Sequence, residues 1–580
     1  MGRAPQPSYA TINGEEQHTE GELAALQEAF DAWERRNQEA FRTETKEKFV
    51  TDEGLEIKRV YTPLDLAERG FDYRHDLGLP GAYPCTRAIS PTLYRSNLWR
   101  ISQYSGYATP EECNDLWRAQ VGTGLNNIYI AYDLPTQLGY DPDCPEAAGE
   151  VGRVGASLVS LKDWEIAFDG IDIEQVIVSQ VINAPGAIGI AMQLAFARER
   201  GVAWNKLKGV CQNDILKEYI ARGNYIFPPG PAIRLLVDSL AFCAAEVPNY
   251  FPMTVTSYHF SEQGADRVHE IAFALADAIT YVDAAKERGV DPDAILPQLM
   301  WLVSHEHDDF FSEIAKLRAM RKAWARITKE RFGVKKPESM LCRMISAQSG
   351  LSLTKEQYIN NIARTSISAV AAALAGVQTI DLRTYDEQWG IPSKEAELTN
   401  VRIQQVVAYE TGVTNTVDPL GGSYYVETLT LQLEERIMEE VRRIDEMGGM
   451  LRAIERGYPQ NKNFDDACRF QRQLEAGEMV KVGFNRFREK ESSRPLKVYR
   501  ADPNVEEQRK QNVQELRRNR DNARVQRALA NLKRLAAMPP SQSGNLMPHL
   551  VDAVQAYATV GDICTALREV WGEFQEPSVV

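Results

Sequence analysis

Two stretches of this 580-residue chain place ionisable side chains where a reaction could use them. The β-branched run Met253–Tyr258 is followed at once by His259, so a phenol and an imidazole stand together at the end of a strand-like segment. The segment His305-Glu306-His307-Asp308-Asp309 follows a second such run. An H-x-H pair after a strand can set two imidazoles on one metal, and Asp308 or Asp309 would add oxygen ligands. No matching third histidine ends another run, and His18, His75, His269 and His549 form no pattern. The segment is therefore read as a polar loop, and no metal is expected.

These residues need elements to position them. Short β-branched and aromatic runs occur at Trp99–Tyr104, Ile128–Asp133, Val176–Asn183, Leu207–Gln212, Met253–His259, Gln298–Ser304, Leu341–Ser346 and Val377–Leu382. Their starts lie 29 to 48 residues apart, room each time for a helix and two loops, and helical patterns such as Ala265–Arg288, Phe310–Phe332 and Tyr358–Leu374 fill several gaps. Eight strands with helical crossovers predict an α/β protein of the (β/α)8 TIM-barrel type, with an open doubly wound sheet as the alternative. A barrel builds its site at the C-terminal strand ends. There the sequence places Tyr104, Asp133, Gln137, Asn183, Gln212, Asp214, Tyr258, His259, His305, His307, Gln348, Asp381 and Arg383. Ser179, Thr254, Thr256 and Ser346 are small for a barrel interior, which would leave the axis open to something long and polar.

The remaining features narrow the function class. Sixty-six basic against 81 acidic residues give a net charge of −15, which disfavours nucleic acid and anionic membrane as partners. No apolar stretch approaches a membrane span and the N-terminus lacks a signal-peptide pattern, so a cytoplasmic protein is expected. The eight cysteines include no Cys-x-x-Cys pair. Phosphate-loop, nucleophile-elbow and dinucleotide-binding signatures are absent from the sequence. Helical patterns at Glu22–Lys48, Leu429–Met447, Asp465–Ala476, Val505–Met538 and Leu550–Phe574 flank the strand region. The expected organisation is an N-terminal arm (1–60), a barrel domain (61–420) and a helical linker and partner-docking region (421–580).

Several ordered motifs resemble the substrate-binding large subunit of the adenosylcobalamin-dependent acyl-CoA mutases, the methylmalonyl-CoA mutase family. They are Gln103-Tyr104-Ser105-Gly106-Tyr107, Asp133-Leu134-Pro135-Thr136 with Gly139-Tyr140-Asp141-Pro142-Asp143, Gln212-Asn213-Asp214-Ile215-Leu216-Lys217-Glu218, Tyr258-His259, Asn360-Asn361 and Asp418-Pro419-Leu420-Gly421-Gly422-Ser423-Tyr424. The resemblance implies a barrel threaded by the CoA arm of an acyl-CoA substrate, and a radical 1,2-migration of the thioester carbonyl group. It also implies roles: His259 bonding the migrating carbonyl, Tyr258 between adenosyl group and substrate, and Gln212 positioning the acyl group. Tyr104 and Arg222 stand where dicarboxylic members of the family carry Tyr and Arg, implying a carboxylate-bearing substrate of the methylmalonyl, succinyl or larger alkylmalonyl or alkylsuccinyl type. Ala131 stands where 2-hydroxyisobutyryl-CoA mutases carry an Asp. Ser90, Thr92, Asn249 and Gln298 fall among the substrate-binding positions, with Ser90, Asn249 and Gln298 in place of a Tyr, a Lys and an Arg. The family's Asp-x-His-x-x-Gly cobalamin motif does not occur in the chain, so the expected partner is a separate small cobalamin-binding subunit in a hetero-oligomer. Isobutyryl-CoA, 2-hydroxyisobutyryl-CoA or a related branched thioester is the alternative substrate. A metal-dependent barrel hydrolase or a noncatalytic binding subunit is the alternative of another class.

Overall fold

A computed structural model describes residues 19–102, 108–122, 126–390, 392–489, 502 and 504–576. Nine strands occur among them: β1 (Arg100–Ser102), β2 (Asn127–Ala131), β3 (Ile177–Val181), β4 (Lys208–Gln212), β5 (Tyr250–Phe251), β6 (Met253–Thr256), β7 (Leu299–His305), β8 (Met344–Gln348) and β9 (Thr379–Asp381). Each of the eight predicted runs contains or overlaps one of them. Every pairing is parallel, and helices such as Gly186–Glu199, Pro229–Glu246, Arg267–Glu287, Phe310–Glu330 and Asn360–Ala375 make the crossovers between strands. The protein is thus an α/β fold built on parallel sheets.

The expected closed eight-stranded barrel is not what the ladder forms among the described residues. The strands divide into one sheet of order β1-β9-β8-β7-β6 and another of order β2-β3-β4-β5. One break falls at Pro252, which separates β5 from β6 and has no N–H to give to a ladder. Side chains bridge it instead. The backbone N–H of Thr256 donates to Asp214 Oδ2 at 2.6 Å, and Gln212 Nε2 donates to Thr256 Oγ1 at 3.1 Å, tying β4 to β6. The other break lies between β1 and β2, where residues 103–107 fall outside the described residues.

The larger of two buried apolar clusters among the described residues runs from Leu55 to Leu567 and includes the fully buried Trp117, Trp164, Trp301 and Trp324, so the C-terminal helices share the core of the strand region; the smaller one holds Tyr258, Met300, Leu302, Ile345 and Ala347. Two motifs of the resemblance prove to be joints. Asp418, held at φ 52°, accepts from Arg87 Nε at 3.0 Å and from the buried Arg318, which also pairs with Glu427 at the start of the helix Tyr424–Glu446. Asp141, with no solvent exposure, accepts from Thr559 Oγ1 and from the N–H of Gly561 at 3.0 Å, and pairs with Arg517, fastening the last helices to the strand region. Arg234 adds donors to the carbonyls of Leu535, Ala536 and Met538, satisfying the open end of the helix Asn522–Ala536.

The predicted helix Val505–Met538 is two helices, Val505–Asn519 and Asn522–Ala536, because Asp521 caps the second through the N–H of Arg524. Leu550–Phe574 is likewise split into Met547–Gln555 and Val560–Trp571 by a Thr559/Asp562 capping box. Among the described residues no helix is long and apolar enough to cross a membrane.

Candidate functional site

The last residues of the strands converge on a cavity of about 600 Å³. Parallel register sets Ala131, Val181 and Gln212 side by side at the ends of β2, β3 and β4, and Ala347 beside Asp381 on β8 and β9. All five line the cavity. A parallel strand presents alternate residues to one face, so one row in each sheet brings these residues to the same cavity.

Gln212 is held in one orientation. Its Oε1 accepts from Asn183 Nδ2 at 3.0 Å while its Nε2 donates to Thr256 Oγ1, so the amide cannot flip without losing both bonds. Asn183 sits at φ 56° and also gives its backbone N–H to the Gln212 carbonyl at 2.7 Å. That left-handed residue locks the β3 end against the β4 end.

His259 and Tyr258 enter the cavity from the first turn of a short helix, Tyr258–Glu262, rather than from the strand itself. Burial, and then the cations of Lys217, Arg222 and Arg383, hold the His259 imidazole well below its usual titration range. The ring is therefore neutral, with one N–H to donate, and its Nδ1 is buried with no hydrogen-bond partner among the described residues. The Tyr258 hydroxyl accepts from Arg383 Nε at 3.3 Å and Nη2 at 2.9 Å. Burial pushes that phenol well above its usual range, so it stays protonated.

Arg222 ends the π-helical turn Glu218–Arg222 and lines the same cavity. One of its five N–H groups reaches Glu218 Oε1, at 3.4 Å, and its side chain keeps 25% exposure. Glu218 is buried between Lys217 and Arg222 and accepts the N–H of Asn224 at 2.9 Å, which fixes the base of the arginine.

The remaining predicted residues lie elsewhere. Tyr104 falls outside the described residues. Ser90, Thr92, Asn249 and Gln298 precede β1, β5 and β7 and so sit at the opposite, N-terminal ends of the strands. Ser90 Oγ accepts the N–H of Leu93, Asn249 Nδ2 donates to the Asn205 carbonyl at 3.0 Å, Gln298 Nε2 donates to the Val247 carbonyl at 3.1 Å, and Thr92 is exposed. Ser179 and Thr254 do face inward, yet the free space between them is only about 10 Å³, because Tyr129, Val210, Leu302 and Ile345 fill the axis around them. The open axis expected from small residues is not present in this structure.

His305 is fully buried, bonded through Nδ1 to Ser346 Oγ at 2.8 Å, and burial brings its titration down to about 3. The group whose ligand atoms gather is instead Asp266, His269 and Asp466. Burial opposes charge on His269, but its hydrogen bonds to the carboxylates of Asp266 and Asp466 raise it to about 10, and Arg469 binds both carboxylates. That set is an ion network joining the helices Arg267–Glu287 and Tyr458–Ala476.

One cavity residue was visible in the sequence only as one polar strand end among many. Arg383, two residues beyond β9, reaches the cavity alongside Asp381 and Glu387. No spacing rule singles it out, since its importance rests on Tyr258, 125 residues away in sequence.

Such a cavity, walled by strand ends and carrying a neutral imidazole, a protonated phenol and three guanidinium groups, those of Arg153, Arg222 and Arg383, defines an α/β enzyme that binds a polar small molecule. Residues 50–573 match the family described as methylmalonyl-CoA mutase. The chain is 39% identical over 536 residues to the 2-hydroxyisobutanoyl-CoA mutase large subunit of Aquincola tertiaricarbonis, covering 92% of this chain and 94% of that one. It is 36% identical over 527 residues to the methylmalonyl-CoA mutase large subunit of Streptomyces virginiae, covering 90% and 71%, and 35% identical over 527 residues to human mitochondrial methylmalonyl-CoA mutase, covering 90% and 68%. The chain belongs to the methylmalonyl-CoA mutase family, whose members are adenosylcobalamin-dependent acyl-CoA mutases of the isomerase class.

Proposed function

We propose that this chain is the substrate-binding large subunit of a mutase that shifts the thioester carbonyl group between adjacent carbons of a carboxylate-bearing acyl-CoA, in the cytoplasm and with a separate small cobalamin-binding subunit. The observation that carries the reading is the meeting of His259, Tyr258, Gln212 and Arg222 in one cavity. Taking the two sheets as the halves of a (β/α)8 barrel agrees with all-parallel pairing and with a cavity at the strand C-termini. An arm (1–60), a barrel (61–420) and a helical partner-docking region (421–580) remain the proposed organisation.

The residues present fit the family's cofactor. The cavity has room beyond a short acyl group, with Glu387 and Glu397 at its polar wall. When bound, adenosylcobalamin supplies the radical chemistry that breaks an unactivated C–H bond. Tyr258 would stand between the adenosyl group and the acyl chain. The chain's own part is to bind, orient and keep water out. The neutral imidazole of His259 donates to the migrating thioester oxygen, where a fixed donor in a dry site stabilises developing charge without exchanging a proton. Gln212, locked by Asn183 and Thr256, orients the acyl group. Arg222 offers its open N–H groups to the substrate carboxylate, a charge-assisted and bidentate match.

A second reading, a branched acyl group without a carboxylate, is favoured by the 39% identity to a 2-hydroxyisobutanoyl-CoA mutase large subunit. Ala131 counts against a hydroxylated substrate, since it brings only a methyl group to the cavity wall. The test is turnover of succinyl-, methylmalonyl-, isobutyryl- and 2-hydroxyisobutyryl-CoA by the chain reconstituted with adenosylcobalamin and a small subunit. Preference for the first two supports the proposal. Preference for the last two replaces it with the second reading, and no turnover of any thioester sinks both.

A further inference from the structure

Arg222 is the cation that the acyl-CoA reading gives to the substrate, yet the carboxylate behind it is shared. Glu218 Oε1 accepts from Lys217 Nζ and, at 3.4 Å, from Arg222 Nη1. Its Oε2 takes the backbone N–H of Asn224 at 2.9 Å, and Asn224 Nδ2 reaches Gln137 Oε1 at 3.3 Å, so the carboxylate is fixed from both sides. The side chains of Lys217 and Glu218 have no solvent exposure, whereas Arg222 lines the cavity and Lys217 does not. One carboxylate between two cations leaves one positive charge over. Glu218 is the one hydrogen-bond partner of the Lys217 ammonium among the described residues, and Arg222 has only the longer contact, so the surplus falls on the arginine. Neither of the other carboxylates that act on Lys217 cancels it. Asp214 gives its two oxygens to the N–H of Thr256 and the hydroxyl of Tyr281, and burial pushes Asp277 well above the usual carboxyl range. Burial brings Lys217 down to about 8, against the pull of Glu218 and Asp214, so the amine keeps its proton at neutral pH. With an apolar side chain at 217, Glu218 would turn its whole charge on Arg222, four residues on in the same turn, and that pair would compete with any incoming carboxylate.

We propose that Lys217 is a positioning residue for substrate recognition: by occupying Glu218 it leaves the Arg222 guanidinium free for the carboxylate of the acyl group. The inference rests on the reading of a carboxylate-bearing acyl-CoA above and deepens it, since Lys217 acts on the substrate only through Glu218 and Arg222.

The test is calorimetric binding of succinyl-CoA and butyryl-CoA, equal in carbon skeleton and differing in the carboxylate, to the full chain and to Lys217→Met, Arg222→Gln and the double variants Lys217→Met/Glu218→Gln and Lys217→Met/Arg222→Gln. Lys217→Met is expected to weaken succinyl-CoA about 10-fold, as loss of a charge-assisted bond does, and butyryl-CoA less than about 2-fold. Adding Glu218→Gln removes the competing charge while keeping an acceptor for Asn224, and is expected to bring succinyl-CoA back to within about 3-fold of the unaltered chain. A merely structural lysine would not be rescued in this way. On the Arg222→Gln background, Lys217→Met should cost succinyl-CoA no more than it costs butyryl-CoA. An equal loss for both thioesters, no loss for either, or a Lys217→Met/Glu218→Gln variant as weak as Lys217→Met overturns the positioning role. If Arg222→Gln itself weakens both thioesters equally, the carboxylate reading fails instead, and failure of the unaltered chain to bind either thioester overturns the acyl-CoA reading.

Discussion

The two ends of the strands have been built to opposite rules. At the N-terminal ends, Asn249 and Gln298 each give an amide N–H to one of the chain's own carbonyls and Ser90 caps a neighbouring N–H, although the Gln298 Oε1 is buried without a partner among the described residues. At the C-terminal ends, among the described residues, His259 Nδ1 is orphaned, Arg222 and Arg383 keep open N–H groups, and Asp381 is buried beside an incompletely matched cation. A folded chain satisfies its buried polar groups unless something else will satisfy them. The open donors therefore mark the end that receives a ligand, and the closed ones mark an end that holds itself together.

Experiments that break this contrast should have very unequal effects. The largest is expected for His259→Ala, which removes the donor proposed for the thioester oxygen and should lower turnover of the reconstituted enzyme by about 100- to 1,000-fold with little change in thioester affinity. In the unaltered enzyme the imidazole is already neutral, so the rate should show no limb near the ordinary histidine value of about 6.5; such a limb that vanishes in His259→Gln would refute the neutral-donor role. Next comes Arg222→Gln, expected to cost about 10- to 100-fold in kcat/KM on dicarboxylic thioesters and much less on monocarboxylic ones. Equal losses on both would contradict the assigned role.

A stability measurement sharpens the contrast from the other side. In the helix Arg267–Glu287, Asp277 is fully buried with both carboxylate oxygens unpartnered among the described residues, and burial together with Asp214 pushes its carboxyl well above the usual range, against the pull of Lys217. Its folded value exceeds its unfolded one, so the stability it contributes is present at acid pH and is lost as pH rises through the folded value. Asp277→Asn should accordingly stabilise the chain by about 1 kcal/mol near neutral pH, with the gain shrinking toward about pH 4 in denaturant titrations. A gain that is constant with pH would mean the carboxyl is ionised in the fold. The smallest effect is expected at the N-terminal end. Asn249 is exposed and its single bond closes locally, so Asn249→Ala should cost under about 1 kcal/mol and change thioester binding less than about 2-fold. A larger loss of binding there would place the CoA tail at the closed end.

Much of this was legible in the sequence because periodicity is local. Eight β-branched runs with helical spacers located eight of the nine strands, missing the two-residue β5, and the residues at or just beyond their ends included His259, Gln212, Asp381 and Arg383. Less legible was anything that depends on one side chain replacing a backbone bond. Pro252 announces a break, but Asp214 and Gln212 bridging it to Thr256 does not follow from any spacing. Nor did the motif Gly139–Asp143 disclose that Asp141 is a fastening for Thr559 and Gly561, more than four hundred residues later.

The sequence by itself determined the element types, the acidic surface, the family and the set of polar groups at strand ends, since each is a property of composition or short-range pattern. Only the tertiary structure decided which of those groups face one another and which have their hydrogen bonds closed. Burial and long-range pairing set the neutrality of His259, the grip of Arg383 on Tyr258 and the narrowness of the axis around Ser179 and Thr254. Those quantities arise from desolvation and contact between distant segments, which no linear pattern contains.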